Sequence, residues 1–239
     1  MPFFTALVPY WVSILFLMVI PIPIFLIAGL TKKGSTTLQQ GKKNYFAVLL
    51  FYGLYLTYVT VACFQGLFEE VTLPPKILRF TMMPLLLFLV VVVFNLPICK
   101  NILQKLSLPD LVRIHIFRLI GSFFLILGFY KVLPSSIALI AGLGDVTTAL
   151  SSIFVVKAIR AGKPYARKLT FAWNTFGFLD IVATSVTAFL LTKLSMETGA
   201  QGVDVLGVFP FCFIPAFAPA TILFLHLSIY RKLWSANKR

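Results

Sequence analysis

Three ionisable residues stand where the surrounding sequence is almost purely apolar. Arg118, Asp145 and Asp180 each fall inside a hydrophobic stretch of about 20 residues, the length a helix needs to cross a bilayer. A charge placed in hydrocarbon costs at least ~2.5 kcal/mol and marks a substrate pathway, a proton relay or a binding site. An arginine there receives an anionic or carbonyl group, and two carboxylates balance it or carry protons. His115 and His226 add imidazoles that change charge near neutral pH, and Asn174, Thr148 and Thr184 add hydrogen-bonding groups. These eight residues are the candidates for ligand or proton binding. None is assigned a catalytic role. Two histidines are too few for an all-histidine zinc triad, and no metal site is expected.

Seven apolar stretches must position these groups, near 7–30, 45–66, 79–98, 111–130, 135–156, 170–192 and 204–230. The expectation is an all-α, polytopic integral membrane bundle of seven transmembrane helices, forming one transmembrane domain over 1–239. Helical spacing lines up polar and small residues. Gly142, Asp145, Thr148 and Ser152 share a face of the fifth span, and Trp173, Gly177, Asp180, Thr184 and Thr187 share one on the sixth. His115, Arg118 and Ser122 do so on the fourth, and Pro215, Pro219 and His226 on the seventh. Such stripes face protein or a water-filled cavity rather than lipid. The reading places the site in spans four to seven, with spans one to three as scaffold. It predicts a cavity opening toward the cytoplasm near His115 and His226. Pro21 and Pro23 in the first span, and Pro210, Pro215 and Pro219 in the seventh, predict interrupted helices.

Hydrophobic residues make up 59% of the chain and charged residues 12%, half the roughly 25% of a soluble domain. The solvent for this surface is therefore a lipid bilayer. The formal charge of +14 is then a topology signal rather than a nucleic-acid footprint. Of 21 Lys and Arg, four lie in 32–43, three in 100–113, five in 157–168 and four in 231–239. All these segments follow odd-numbered spans. The opposite loops hold Lys76, Arg79, Lys131 and Lys193 alone. Positive charge stays on the cytoplasmic side, which predicts the N-terminus outside and the C-terminus inside. The first residues, MPFFTALVPYW, lack the basic n-region and the small-residue cleavage site of a signal peptide, so the first stretch is taken as a retained span. Cys63, Cys99 and Cys212 have no CxxC spacing and are expected to pack without a disulfide. No lysine lies deep in a span to hold a retinal Schiff base, and the last span has no NPxxY-like receptor pattern.

Function follows less directly. The first expectation is small-molecule or ion/proton-linked transport, or ligand binding, with a small molecule or ion as partner and no nucleic acid. Two alternatives use the same residues. Gly142-Leu143-Gly144-Asp145 resembles the GxGD signature of the presenilin and signal-peptide-peptidase class of intramembrane aspartyl proteases. That resemblance implies an enzyme in which Asp180 completes a carboxylate pair, with Pro215-Ala216-Phe217 standing for the class's Pro-Ala-Leu element. The order departs, because that class places its GxGD after the partner Asp. The second alternative takes His115 and His226 as two axial ligands of a haem. More loosely, Arg118-Leu119-Ile120-Gly121, Ala141 through Asp145, and Trp173-Asn174 with Gly177 and Asp180 resemble uncharacterised small bacterial polytopic membrane proteins. This implies a multi-pass protein of a bacterial plasma membrane and names no activity.

Overall fold

The computed structural model describes residues 7–235; Lys238 and Arg239 of the basic tail, and the start of the leader reading at residues 1–6, lie outside them. Eight helices carry the described chain: α1 (Tyr10–Lys33), α2 (Leu38–Phe64), α3 (Leu78–Asn95), α4 (Pro97–Lys105), α5 (Leu108–Phe129), α6 (Ser135–Arg160), α7 (Ala166–Thr198) and α8 (Phe213–Ser235). All but α4 are long and apolar enough to cross a membrane, so the seven expected spans are α1–α3 and α5–α8. No strand occurs among the described residues.

Several boundaries differ from the apolar windows because capping, not hydropathy, ends a helix. The second span begins at Leu38 rather than near 45, since Thr37 Oγ1 accepts from the Gln40 amide at 3.1 Å and caps a polar first turn. The fourth begins at Leu108, where Ser107 and Asp110 form a reciprocal capping box. The sixth runs to Thr198, and Gly199 closes it in the left-handed conformation at φ +70°. The third stops at Asn95, because Leu96 is extended and Pro97 starts α4. The seventh does not start near 204. Asp204–Gly207 is a short 3-10 turn, Pro210 lies in the connection, and the helix begins at Phe213 with Pro219 inside it.

α8 is the axis of the bundle. Two thirds (67%) of its apolar window is buried, against 17% for α2 and for α3. Phe211, Phe217, His226 and Ile229 are among its fully enclosed or adjoining side chains. α8 packs against α7, α5 and α3, while α6 packs between α5 and α7, and α1 against α2 and α5. Outward-facing Leu50, Leu54, Phe129, Phe154, Leu179 and Leu190 are exposed and form the perimeter that a hydrocarbon solvent would cover. Polar seams tie the periphery to the axis. Tyr52 Oη lies 3.1 Å from Thr221 Oγ1, and Tyr55 Oη donates to the Ala216 carbonyl at 2.9 Å. Cys63, Cys99 and Cys212 are free thiols.

Candidate functional site

α5 changes its winding where the chemistry is. Ile114–Gly121 is a 3-10 helix set between two α-helical segments. Three residues per turn stack positions i and i+3 directly above one another. His115, Arg118 and Gly121 therefore form a single ridge, and all three are buried. This corrects the stripe expected from 3.6-residue spacing. Ser122 is partly exposed, and Gly121 takes its place.

Gly121 allows the close approach that the site needs. A Cβ on it would collide with the carboxylate of Asp145, and one on Gly144 would collide with the carboxylate of Asp180. Through these two gaps both acids reach Arg118. Its Nε donates to Asp145 Oδ1 at 2.6 Å, and its Nη2 donates to Asp180 Oδ2. Nη1 donates to the Gly177 carbonyl at 3.0 Å and meets His226 Nε2 at 3.1 Å. Arginine can only donate, so Nε2 is the acceptor and the proton of His226 sits on Nδ1. That nitrogen donates to Asn174 Oδ1 at 2.8 Å, and Asn174 Nδ2 donates to the His226 carbonyl at 3.2 Å. A hydrogen-bonded unit thus runs through α5, α6, α7 and α8. Arg118, Asn174 and His226 are at most 1% exposed and Asp145 is 7% exposed.

Of the eight expected residues, Arg118, Asp145, Asp180, His226 and Asn174 are in this unit. Thr148 is adjacent, with its methyl against Gly177 and its hydroxyl unpaired. Its carbonyl accepts from Trp173 Nε1 at 3.1 Å. Thr184 is one turn beyond Asp180, with an unpaired hydroxyl and no bond to the unit. His115 packs its ring on His226 with centroids 4.3 Å apart, and lies edge-on to Trp173 at 5.2 Å. Both His115 ring nitrogens are buried without a partner. Sequence reasoning passed over the Gly177 carbonyl, which no residue type announces. It passed over the role of Gly121 too, whose signal was a small residue three positions after the arginine.

Two alternatives do not fit this geometry. Haem ligation needs a macrocycle between the imidazoles, and His115 and His226 are in direct contact. An aspartyl pair needs its carboxylates around a shared water, and here each acid bonds a different nitrogen of one interposed guanidinium. Among the described residues no three of His, Cys, Asp and Glu converge as a metal site.

The expected opening near the histidines is also corrected, because the packed rings of His115, His226 and Trp173 fill that space. A recess of ≈ 30 Å³ lies instead on the other side of Arg118 and Asp145, walled by Pro23 of α1, Phe117 and Gly121 of α5 and Phe217 and Ile222 of α8. That is room for roughly one or two waters. The first span is thus part of the site. α1 stays helical through Ile20, whose amide donates to the Phe16 carbonyl at 2.9 Å; Pro21 and Pro23 then remove two backbone donors, and Ile20 and Pro23 wall the recess.

An imidazole buried without partners costs about 1–3 kcal/mol. His115→Phe keeps the ring contacts with His226 and Trp173 and removes both unpaired nitrogens. The expected result is an unchanged or higher melting temperature. A fall of several degrees would show that the nitrogens are bonded in the folded protein.

Residues 74–234 match the profile of a domain of unknown function, DUF8737. The match spans more than half of the chain, which belongs to that family. No curated protein and no solved structure matches it.

Proposed function

For this member of the DUF8737 family we propose proton-linked transport of a small anionic or carbonyl-bearing solute across a bacterial plasma membrane, with Asp145, Arg118 and Asp180 as the coupling group. The observation that carries the reading is a charge imbalance: one guanidinium serves two carboxylates, so the unit holds one negative charge in excess. An excess charge in a low-dielectric interior is unfavourable, and one proton cancels it. A metal cation is a poorer match, because the recess walls are apolar apart from Arg118 and Asp145 and lack the six or more oxygen ligands a hard cation takes.

Protonation of either carboxylate replaces an ion pair with Arg118 by a weaker bond from the guanidinium to a neutral carboxyl. The donor that faced that carboxylate can then turn to the solute, while the bonds to the other acid, the Gly177 carbonyl and His226 remain. The 3-10 stretch of α5, Pro21 and Pro23 in α1 and Pro219 in α8 are the places where the bundle can bend. Gating of this kind is a motion of elements around a fixed site.

Infrared difference spectroscopy on protein in lipid, between alkaline and acid buffer, tests this reading. The expected result is the carbonyl band of one protonated carboxyl, lost in the Asp145→Asn/Asp180→Asn double variant. Two carboxylates that stay ionised across the range would make the unit a static clasp between helices. The orientation belongs to the same proposal: basic loops in the cytoplasm, the N-terminus outside and the C-terminus inside. A membrane-impermeant thiol reagent added from outside should label a cysteine placed in 194–203 and spare one placed in 159–166. The reverse pattern would overturn the orientation.

A further inference from the structure

A second space in the bundle, partly open to its surroundings, is far from the charged unit in character. α2 packs along α1, and α3 packs along α8. The gap left between them is bridged by the stacked rings of Phe51 and Phe88, with centroids 5.2 Å apart. Behind that bridge is a cavity of ≈ 370 Å³, walled chiefly by Leu30, Phe51, Phe88, Val93, Leu103 and Phe224. That volume is in the range of small-molecule sites.

Its polar groups are already committed within the protein. Tyr52 pairs with Thr221, Thr31 Oγ1 donates to the Ala28 carbonyl, and Ser228 Oγ donates to the Phe224 carbonyl. Asn44 Nδ2 donates to Ser35 Oγ, and Asn44 Oδ1 accepts from Gln40. Water needs two to four polar partners to occupy a cavity, and these few committed groups stand on walls that are otherwise almost wholly apolar. Such walls suit a hydrocarbon chain better than water.

One end of the cavity is closed by α4, a short amphipathic helix. Ile98, Cys99, Ile102 and Leu103 line the space, while Lys100, Asn101, Gln104 and Lys105 fall on the opposite face. Lys232 at the end of α8 donates to the Leu103 and Gln104 carbonyls and anchors α4 there. Lys42 and Lys43 directly precede Asn44 of the wall, and Lys100 and Lys105 stand on α4 beside its lining residues. None of these four has a carboxylate within ion-pair distance among the described residues. An apolar slot whose lining segments carry unneutralised lysines matches an amphiphile with a negative head and a hydrocarbon tail.

We infer that this cavity holds an acyl chain of an anionic membrane phospholipid, whose head group lies over Lys43 and Lys100. The inference is independent of the charged unit and its proton chemistry.

The test uses the full-length protein, delipidated in detergent and offered dioleoyl phosphatidylglycerol or dioleoyl phosphatidylcholine, with bound lipid counted by native mass spectrometry. Wild type is expected to retain one phosphatidylglycerol in preference to phosphatidylcholine. Val48→Trp fills the slot, and excluding even two methylenes lowers retention by about tenfold. Lys43→Glu with Lys100→Glu is expected to abolish the preference between the two lipids. Each variant is first checked for an unchanged melting temperature, with Val93→Phe as the filling variant if Val48→Trp fails that check. Equal retention of both lipids by wild type, or undiminished retention by a stably folded filled variant, would overturn the proposal.

Discussion

Arg118→Ala is expected to destabilise the folded protein by about 3–5 kcal/mol, the usual cost of breaking a buried ion pair from one side. The guanidinium makes four bonds, to Asp145, Asp180, the Gly177 carbonyl and His226. Its loss leaves two carboxylates facing each other's field without a cation. The arithmetic of charge predicts the rescue. Asp145→Asn or Asp180→Asn added to Arg118→Ala should recover part of the loss, and both together more, because each removes one stranded charge. Arg118→Lys should fall between wild type and Arg118→Ala, since a single ammonium cannot reproduce a planar fork aimed at two acids. The measurement is thermal or denaturant unfolding in a fixed detergent, with exposed Lys163 changed to Ala as the reference. Strictly additive losses in both Arg–Asp cycles would argue that neither pair contributes to folding, whatever their geometry.

The second large effect is expected from one methyl group. In a helix interior, Gly→Ala normally stabilises by about 1 kcal/mol. Gly53 in α2 should follow that rule, because nothing lies within 4 Å of the Cβ it lacks. Gly144→Ala should reverse the sign, since its new methyl occupies the place of the Asp180 carboxylate. Overpacking of this kind costs about 1–3 kcal/mol, and here it also separates Asp180 from Arg118. Gly121→Ala should behave likewise against Asp145, whereas Gly177→Ala meets His226, Thr148 and Arg118 at 2.7–2.9 Å. Comparing unfolding of Gly144→Ala with Gly53→Ala isolates the contact from helix propensity. If both variants stabilise, α6 and α7 do not approach as closely as the structure has them. Gly144 is also the third residue of the GxGD string, and its contact supplies a packing reason for glycine there without any dyad.

The residues of the site were legible because a charge inside an apolar stretch is conspicuous in any reading of hydropathy. Arg118, Asp145 and Asp180 needed no alignment and no fold to stand out. The arrangement was not legible. Helical spacing placed Ser122 beside Arg118, but local 3-10 winding put Gly121 there. Proximity to the membrane face made His115 and His226 look like the rim of an opening, but they are stacked on each other and closed to solvent. The first span looked like scaffold because it carries no charged residue between residues 7 and 30, yet Ile20 and Pro23 wall the recess beside the charges.

The sequence by itself determined the number of apolar helices, their order along the chain, the side bias of the basic loops, and which few polar groups they carry. These are sums over neighbouring residues: hydropathy over a window of helix, charge over a loop, a cap over four positions. Only the tertiary structure decided that one guanidinium answers two carboxylates, that α8 is the axis, and that α2 and α3 part to leave an apolar slot. The bonds of Arg118 to Asp145, Asp180 and His226 close separations of 27, 62 and 108 residues. Which partner closes each separation depends on how the helices pack, and packing turns on single atoms such as the Cβ that Gly121 and Gly144 lack.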